Sequence, residues 1–394
     1  RAGRRAARGR VIPPAVYDVG ALRADQFPIT RRWAYLDNGT FGPLPRAAAD
    51  AAAAWSRSLS EGDRLPVPWS AEVERVRGLA ARLFGCAADD LAFVKGSAEG
   101  LGLVALGLDW HAGDEVIVPE AEFPAGVLPW LGLERLGVRV RFARLAGRHR
   151  FDAADVEEML GERTRVVCVG LVNFGNGFRA PVEAIAAACR RHGAWLLVDA
   201  TQAAGVLRLD VRTLGCHLLV AHGYKYLLAG YGAAPCYVHP ELRACLRVPE
   251  PGWKSLPGAG DDSITDYAGV EMMDDARRFE PSIPAATPIV GMGASLELLL
   301  GLGVDAIERW TLDLAATARD ALRERGYDVV SSDRPGERSS ILSVTRTGAD
   351  LRALEARLRE AGVVTAVREG RLRLSLHGYN DQDDVDRLLG ALPA

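Results

Sequence analysis

Cysteine is sparse in this chain of 394 residues. The six present (Cys86, Cys168, Cys189, Cys216, Cys236 and Cys245) form no C-x-x-C pair and show no zinc-like spacing. That excludes a disulfide framework, leaves no metal cage to expect, and points to a reducing, cytoplasmic compartment. An excess of either charge is missing as well. The 48 Lys and Arg against 51 Asp and Glu leave a net charge of -3, too weak a field to recruit nucleic acid or a membrane surface. Partners are therefore expected to be small molecules or another protein chain. No run of roughly 18 uncharged apolar residues occurs, so no transmembrane helix is expected; even residues 281–296 are interrupted by prolines, glycines and hydroxyls. Internal repeats and low-complexity linkers are also lacking.

What is present is a composition close to the globular average, 48% hydrophobic and 25% charged. At roughly 150 residues per domain, the length predicts two or three domains. Residues 1–10 hold five arginines and no acid, with no apolar stretch of signal-peptide type behind them, and residues 1–28 read as a flexible tail. Short apolar, often β-branched runs at 116–118, 138–142, 166–170, 195–198, 218–221 and 236–239 alternate with helical stretches such as 181–190. This predicts an α/β domain with a mostly parallel central sheet over 29–284, whose first part can pack on a second, smaller unit. Over 285–394 the pattern predicts a long connecting helix running to 325, then a small α+β C-terminal domain. Its strands are expected at 340–344 and 371–376 and its helices at 350–361 and 381–392.

The strongest chemical signal is Asp199, directly after the 195–198 strand, together with Lys225, shortly after the 218–221 strand. Open α/β sheets build their sites at these carboxyl ends, and each charge is costly there without a partner. Pyridoxal phosphate resolves both costs. It needs a lysine amine for an imine, an acid to keep the pyridine nitrogen protonated, and anion-binding backbone for its phosphate. A candidate for the last is Val94-Lys95-Gly96-Ser97-Ala98-Glu99-Gly100, a strand-to-helix junction with free N–H groups and the Ser97 hydroxyl.

Six stretches in collinear order resemble the class V aminotransferase group of fold-type I enzymes, which includes cysteine desulfurases, kynureninases and isopenicillin N epimerase. They are Tyr35-Leu-Asp37-Asn38-Gly-Thr-Phe41-Gly42, Gly96-Ser97-Ala98-Glu99, Glu122-Phe123-Pro124, Asp199-Ala-Thr-Gln202, His222-Gly-Tyr224-Lys225, and Arg371-Leu-Arg373-Leu-Ser375 running into Tyr379-Asn380. The resemblance implies Lys225 and Asp199 as catalytic residues, with Lys225 the imine lysine and Asp199 the pyridine partner. It implies cofactor contacts from Ser97, Ala98, Phe123 stacked on the ring, Gln202, His222 and Tyr224, with Thr201 on the opposite ring face. Asn173, in a glycine-flanked turn, is a further cofactor candidate. Arg373 would grip the substrate carboxylate, with Asn38 and Phe41 in the substrate turn. The segment 278–284 resembles one that reaches a partner subunit's phosphate, with Ser282 in place of the usual glycine-threonine, so a homodimer is implied.

The reaction implied is on an amino acid, through an external aldimine and a Cα carbanion. Residues 361–373 contain no cysteine, whereas desulfurases carry a nucleophilic one shortly before the carboxylate arginine. Phe123 and the 38–42 turn lean toward the epimerase-like branch. The resulting expectation is a lyase or epimerase of the isopenicillin N epimerase-like branch and not a cysteine desulfurase. A true aminotransferase is the second reading, and a PLP-binding protein with dead chemistry the third.

Overall fold

The apolar runs of the central region become the strands of one sheet in a computed structural model that describes residues 17–62, 69–145, 149–258 and 270–393. After the short β1 (Ala34–Tyr35), the strands are β2 (Leu91–Val94), β3 (Glu115–Pro119), β4 (Arg139–Ala143), β5 (Thr164–Gly170), β6 (Trp195–Asp199), β7 (Leu218–Val220) and β8 (Ala234–Val238). Seven of them form a sheet in the order β2-β8-β7-β6-β5-β3-β4, in which only β8 runs against its neighbours. Val166, Val167 and Val169 of β5 and Leu196, Leu197 and Val198 of β6 are fully buried, as a parallel sheet covered on both faces requires. The helix Val182–His192 connects β5 to β6. It turns its Val182, Ile185, Ala186 and Cys189 inward, carries Arg190, Arg191 and His192 in its last turn, and ends on Gly193 at φ 69°. The basic last turn complements the helix dipole, and the glycine supplies the left-handed cap.

The second unit is an antiparallel sheet in the order β12-β13-β10-β9, built from β9 (Asp328–Val329), β10 (Ile341–Thr345), β12 (Ala366–Arg368) and β13 (Arg371–Ser375). The helices Leu351–Glu360 and Gln382–Ala391 bury Leu354, Leu358 and Leu388 against its Leu342, Val344, Leu372 and Leu374. β1 leaves the N-terminal region to pair in parallel with β11 (Val363–Val364). A further bridge joins Asp37 to Ser375. A segment early in the chain is thereby fixed beside β13, where Arg373 lies.

Two boundaries differ from expectation. Residues 1–16 of the expected tail lie outside the described residues, but the rest of it is ordered onto the C-terminal unit. Val19–Gln26 is a helix capped by Asp18, Phe27 stacks on Tyr379 with centroids 4.2 Å apart, and Arg23 binds Asp384 at 2.7 Å and Asp381 at 2.9 Å. The long connecting helix is two helices, Ala286–Leu302 and Val304–Glu324, bent by 77° at Gly303. Gly303 sits at φ 82°, a conformation that favours glycine. The first of the two is apolar on nearly all sides because it packs on Arg46–Glu61 and Trp69–Phe84. Among the described residues no single helix is long and apolar enough to cross a membrane.

Candidate active site

Asp199 ends β6 and Lys225 follows β7, so adjacent parallel strands deliver a carboxylate and an amine to one pocket. The pocket walls also include Ser97, Glu122, Phe123, Phe174, Thr201, Gln202 and His222. Lys225 is only 6% exposed. Its Nζ lies 5.1 Å from the centroid of the Phe123 ring and 5.7 Å from that of Tyr224. Burial pulls its amine down to about 8; Asp199 opposes the shift, and the nearby Arg373 and Arg368 reinforce it. A neutral, nucleophilic amine is thus within reach at mildly alkaline pH. The Thr201 N–H donates to Asp199 Oδ1 at 2.8 Å, and the His222 N–H donates to Thr201 Oγ1 at 3.0 Å, which locks the two strand ends together.

An anion cradle faces this pair. The helix Ser97–Gly107 starts at buried Ser97 with no side chain capping its N-terminus, so its free N–H groups remain for a ligand. Gly96, just before it, lies so close to His222 that a Cβ would sit 2.1 Å from that ring's Cε1; only glycine admits the imidazole there. His222 is held toward its neutral form, chiefly by burial. Its Nδ1, together with Gln202 Oε1, is buried without a hydrogen-bond partner. Both line the pocket, where a ligand can satisfy them.

Phe123 is held by its neighbours. Ala121 takes φ 57°, a strained value for a residue with a side chain. Asn173 Nδ2 donates to the Ala121 carbonyl at 3.0 Å. Glu122 accepts from the Phe123 N–H at 2.8 Å and from the Gly170 N–H, at the end of β5, at 2.7 Å. Burial pushes the Glu122 carboxyl up to about 7, against those two N–H groups, with the negative Asp199 adding to the rise. Asn173 Oδ1 meanwhile accepts from Gly175 and Asn176. The structure therefore uses Asn173 to brace the loop under Phe123, and it does not line the pocket.

Arg373, the expected carboxylate grip, is 1% exposed. Its Nη2 donates to Asp37 Oδ1 at 2.9 Å and to Thr40 Oγ1 at 2.6 Å, and Nη1 donates to the Phe174 carbonyl at 2.8 Å, which leaves Nε unpartnered. Arg368 donates to the same Thr40 hydroxyl at 2.9 Å. Asn38 is in a different situation from that expected. Its Nδ2 donates to the Ser375 carbonyl and its Oδ1 accepts from the Tyr379 hydroxyl, so it joins the two units. Phe41 stacks on Tyr231 with centroids 5.4 Å apart. Two expected contacts fall in other clefts. Ala98 faces Leu103, Leu106 and Pro249, and Ser282 faces Lys95, Glu99 and Ile283. The residues sequence reasoning did not single out are Glu122 as a titrating wall, Phe174, and Asp37, Thr40 and Arg368 around Arg373. Glu122, Asp37 and Thr40 stood inside the quoted stretches, next to the residues that drew attention. Among the described residues no group of three or more His, Cys, Asp or Glu is placed to hold a metal ion.

The amine, the acid, the uncapped helix start and the unpartnered polar atoms together fit pyridoxal phosphate. The family model described as Aminotransferase class-V matches residues 35–388. The chain belongs to the class V aminotransferase family. Pyridoxal phosphate is the cofactor of this class V enzyme. A cysteine desulfurase of Salmonella dublin is 28% identical over 95% of this chain and 98% of its own. Among solved structures, an apo cysteine desulfurase from Thermococcus onnurineus NA1 shares the fold at TM-score 0.86 and 22% identity, over 96% of this chain and 98% of its own. The cystine C-S lyase C-DES, in complex with its product cysteine persulfide, does so at TM-score 0.85 and 23% identity, over 93% and 98%.

These comparisons correct the expected reaction. The relatives cleave carbon–sulfur bonds, so the epimerase-like reading, the transaminase second reading and the exclusion of cysteine desulfuration all fall. The exclusion rested on the missing cysteine in 361–373, where the structure has the tight β12–β13 hairpin. A missing cysteine speaks to one sulfur acceptor and not to which bond breaks.

Proposed function

We propose that this class V enzyme is a carbon–sulfur lyase acting on cysteine or a cysteine derivative. The observation that carries the reading is the Lys225–Asp199 pair in one buried pocket, in a chain that aligns end to end with cysteine desulfurases. When bound, pyridoxal phosphate supplies the carbonyl that takes the substrate amine and the ring that accepts the electron pair left at Cα. Lys225 Nζ, drawn toward neutrality by burial, takes the proton from substrate Cα. Asp199 would hold a proton at the pyridine nitrogen. Phe123 and Thr201 would wall the ring, and Ser97 with the helix N-terminus would take the phosphate. Arg373, its guanidinium plane set by Asp37 and Thr40, orients the carboxylate through its remaining donor capacity.

A homodimer belongs to the same reading. Leu106 is 61% and Ile283 50% exposed, beside the clefts that hold Ala98 and Ser282, and a second copy would cover both and bring Ser282 toward the partner's phosphate. The six unpaired cysteines suit cytoplasmic residence. The decisive experiment incubates the holoenzyme with L-cysteine and with L-cystine and measures released sulfur, as sulfide after reduction, alongside pyruvate or alanine. Sulfur release at the rate of carbon product is expected. Exchange of the Cα proton for deuterium with all sulfur retained would overturn the reading.

A further inference from the structure

A chain of aromatic rings, a collar, runs past the Lys225 amine. Phe174 packs edge-on to Phe123 at 5.2 Å, Phe123 and Tyr224 flank Nζ, Tyr224 lies 4.8 Å from Tyr231, and Tyr231 stacks on Phe41. Two members are open to solvent, Phe123 at 39% and Tyr231 at 66%. The collar is rigidly tied to the carboxylate anchor, because Phe41 follows Thr40, the shared acceptor of Arg373 and Arg368. Gly42 then presses on Lys225, with its N–H donating to the Tyr224 carbonyl at 2.9 Å and a Cβ there falling 2.0 Å from the Lys225 carbonyl oxygen. An amino acid held by Arg373 with Cα at Lys225 has its side chain to place, and with Phe123 and Tyr224 given to the cofactor the rings left for it are those of Phe41, Phe174 and Tyr231. A bare thiol or a second charged amino acid gains little from such a surface, whereas an apolar sulfur substituent buries itself there.

We infer, building on the carbon–sulfur lyase reading, that the preferred substrates are S-substituted L-cysteines carrying an aromatic or other bulky apolar group on sulfur. The elimination balances without oxidant or reductant. The Cα proton passes to Lys225, and the Cβ–S bond breaks with its electron pair on sulfur. The sulfur takes a proton to leave as the free thiol, and the three-carbon fragment takes up one water to give pyruvate and ammonium. The thiol departs as a complete molecule and calls for no cysteine acceptor among the pocket walls.

The test compares S-benzyl-L-cysteine, S-methyl-L-cysteine, L-cysteine and L-cystine with the holoenzyme, quantifying thiol and pyruvate. Benzyl mercaptan and pyruvate should appear in equal amounts, with kcat/KM above that for the S-methyl compound by roughly tenfold or more, the scale of apolar pocket discrimination. Tyr231→Ala should remove most of that preference through KM, and Tyr231→Phe, which keeps the ring, should retain it. Equal use of the S-methyl and S-benzyl compounds, or a preference that survives Tyr231→Ala, overturns the inference. Cleavage of cysteine or cystine with refusal of the S-benzyl compound overturns it while leaving the lyase reading intact. Sulfur retained in all four compounds removes both.

Discussion

The pocket at the ends of β6 and β7 and the junction between Asn38 and β13 are both rich in buried polar groups, yet they differ in how those groups are satisfied. At the junction nearly everything is paired: Asn38 with Ser375 and Tyr379, and Asn380 with Tyr35 and Asp384. At the pocket His222 Nδ1 and Gln202 Oε1 are unpaired, and the Lys225 amine sits in an environment that disfavours its charge. An unmet buried polar atom is expensive, and those of the pocket lie where a ligand can meet them. Arg373 stands on the border, with three partners made and Nε unmet.

The contrast is broken most directly at Lys225. Lys225→Ala should lower turnover by on the order of 100- to 10,000-fold, the range for removing a proton-transfer group, while far-UV circular dichroism stays unchanged; steady-state pyruvate formation checks this. Asp199→Asn should retain the cofactor, read from its visible absorbance, and lose on the order of 100-fold in turnover, because an amide cannot keep the pyridine nitrogen protonated. On the satisfied side, Asp37→Ala removes the counter-ion of a buried guanidinium and should cost about 3 kcal/mol or more in denaturant unfolding. An Asp37→Ala apoprotein as stable as the parent would erase the distinction between the two regions.

The smallest effect sharpens the comparison through pH. The Glu122 carboxyl, raised to about 7, binds more proton folded than unfolded between its ordinary range and that value. Apoprotein stability therefore falls as pH rises through this window. Glu122→Gln should flatten that fall by on the order of 1 kcal/mol, read from urea midpoints at pH 5 and pH 7.

Sequence alone determined the alternating strands and helices of the central sheet, the strand-end placement of Asp199 and Lys225, and the start of the helix at Ser97. Those features follow from local hydrophobic pattern and from chemistry carried within a few residues. It could not assign Asn38, whose partners Ser375 and Tyr379 stand more than three hundred residues away, or Asn173, whose amide is spent on Ala121 across a gap of 52 residues. The break at Gly303 was hidden because a helical pattern continues on both sides of one glycine, and the docking of Val19–Gln26 because its partners Tyr379 and Asp384 lie near the far end of the chain. Only the tertiary structure decided which polar groups are consumed and which are left for a ligand. Hydrogen-bond satisfaction is a property of the space around a side chain, and segments distant in sequence fill that space.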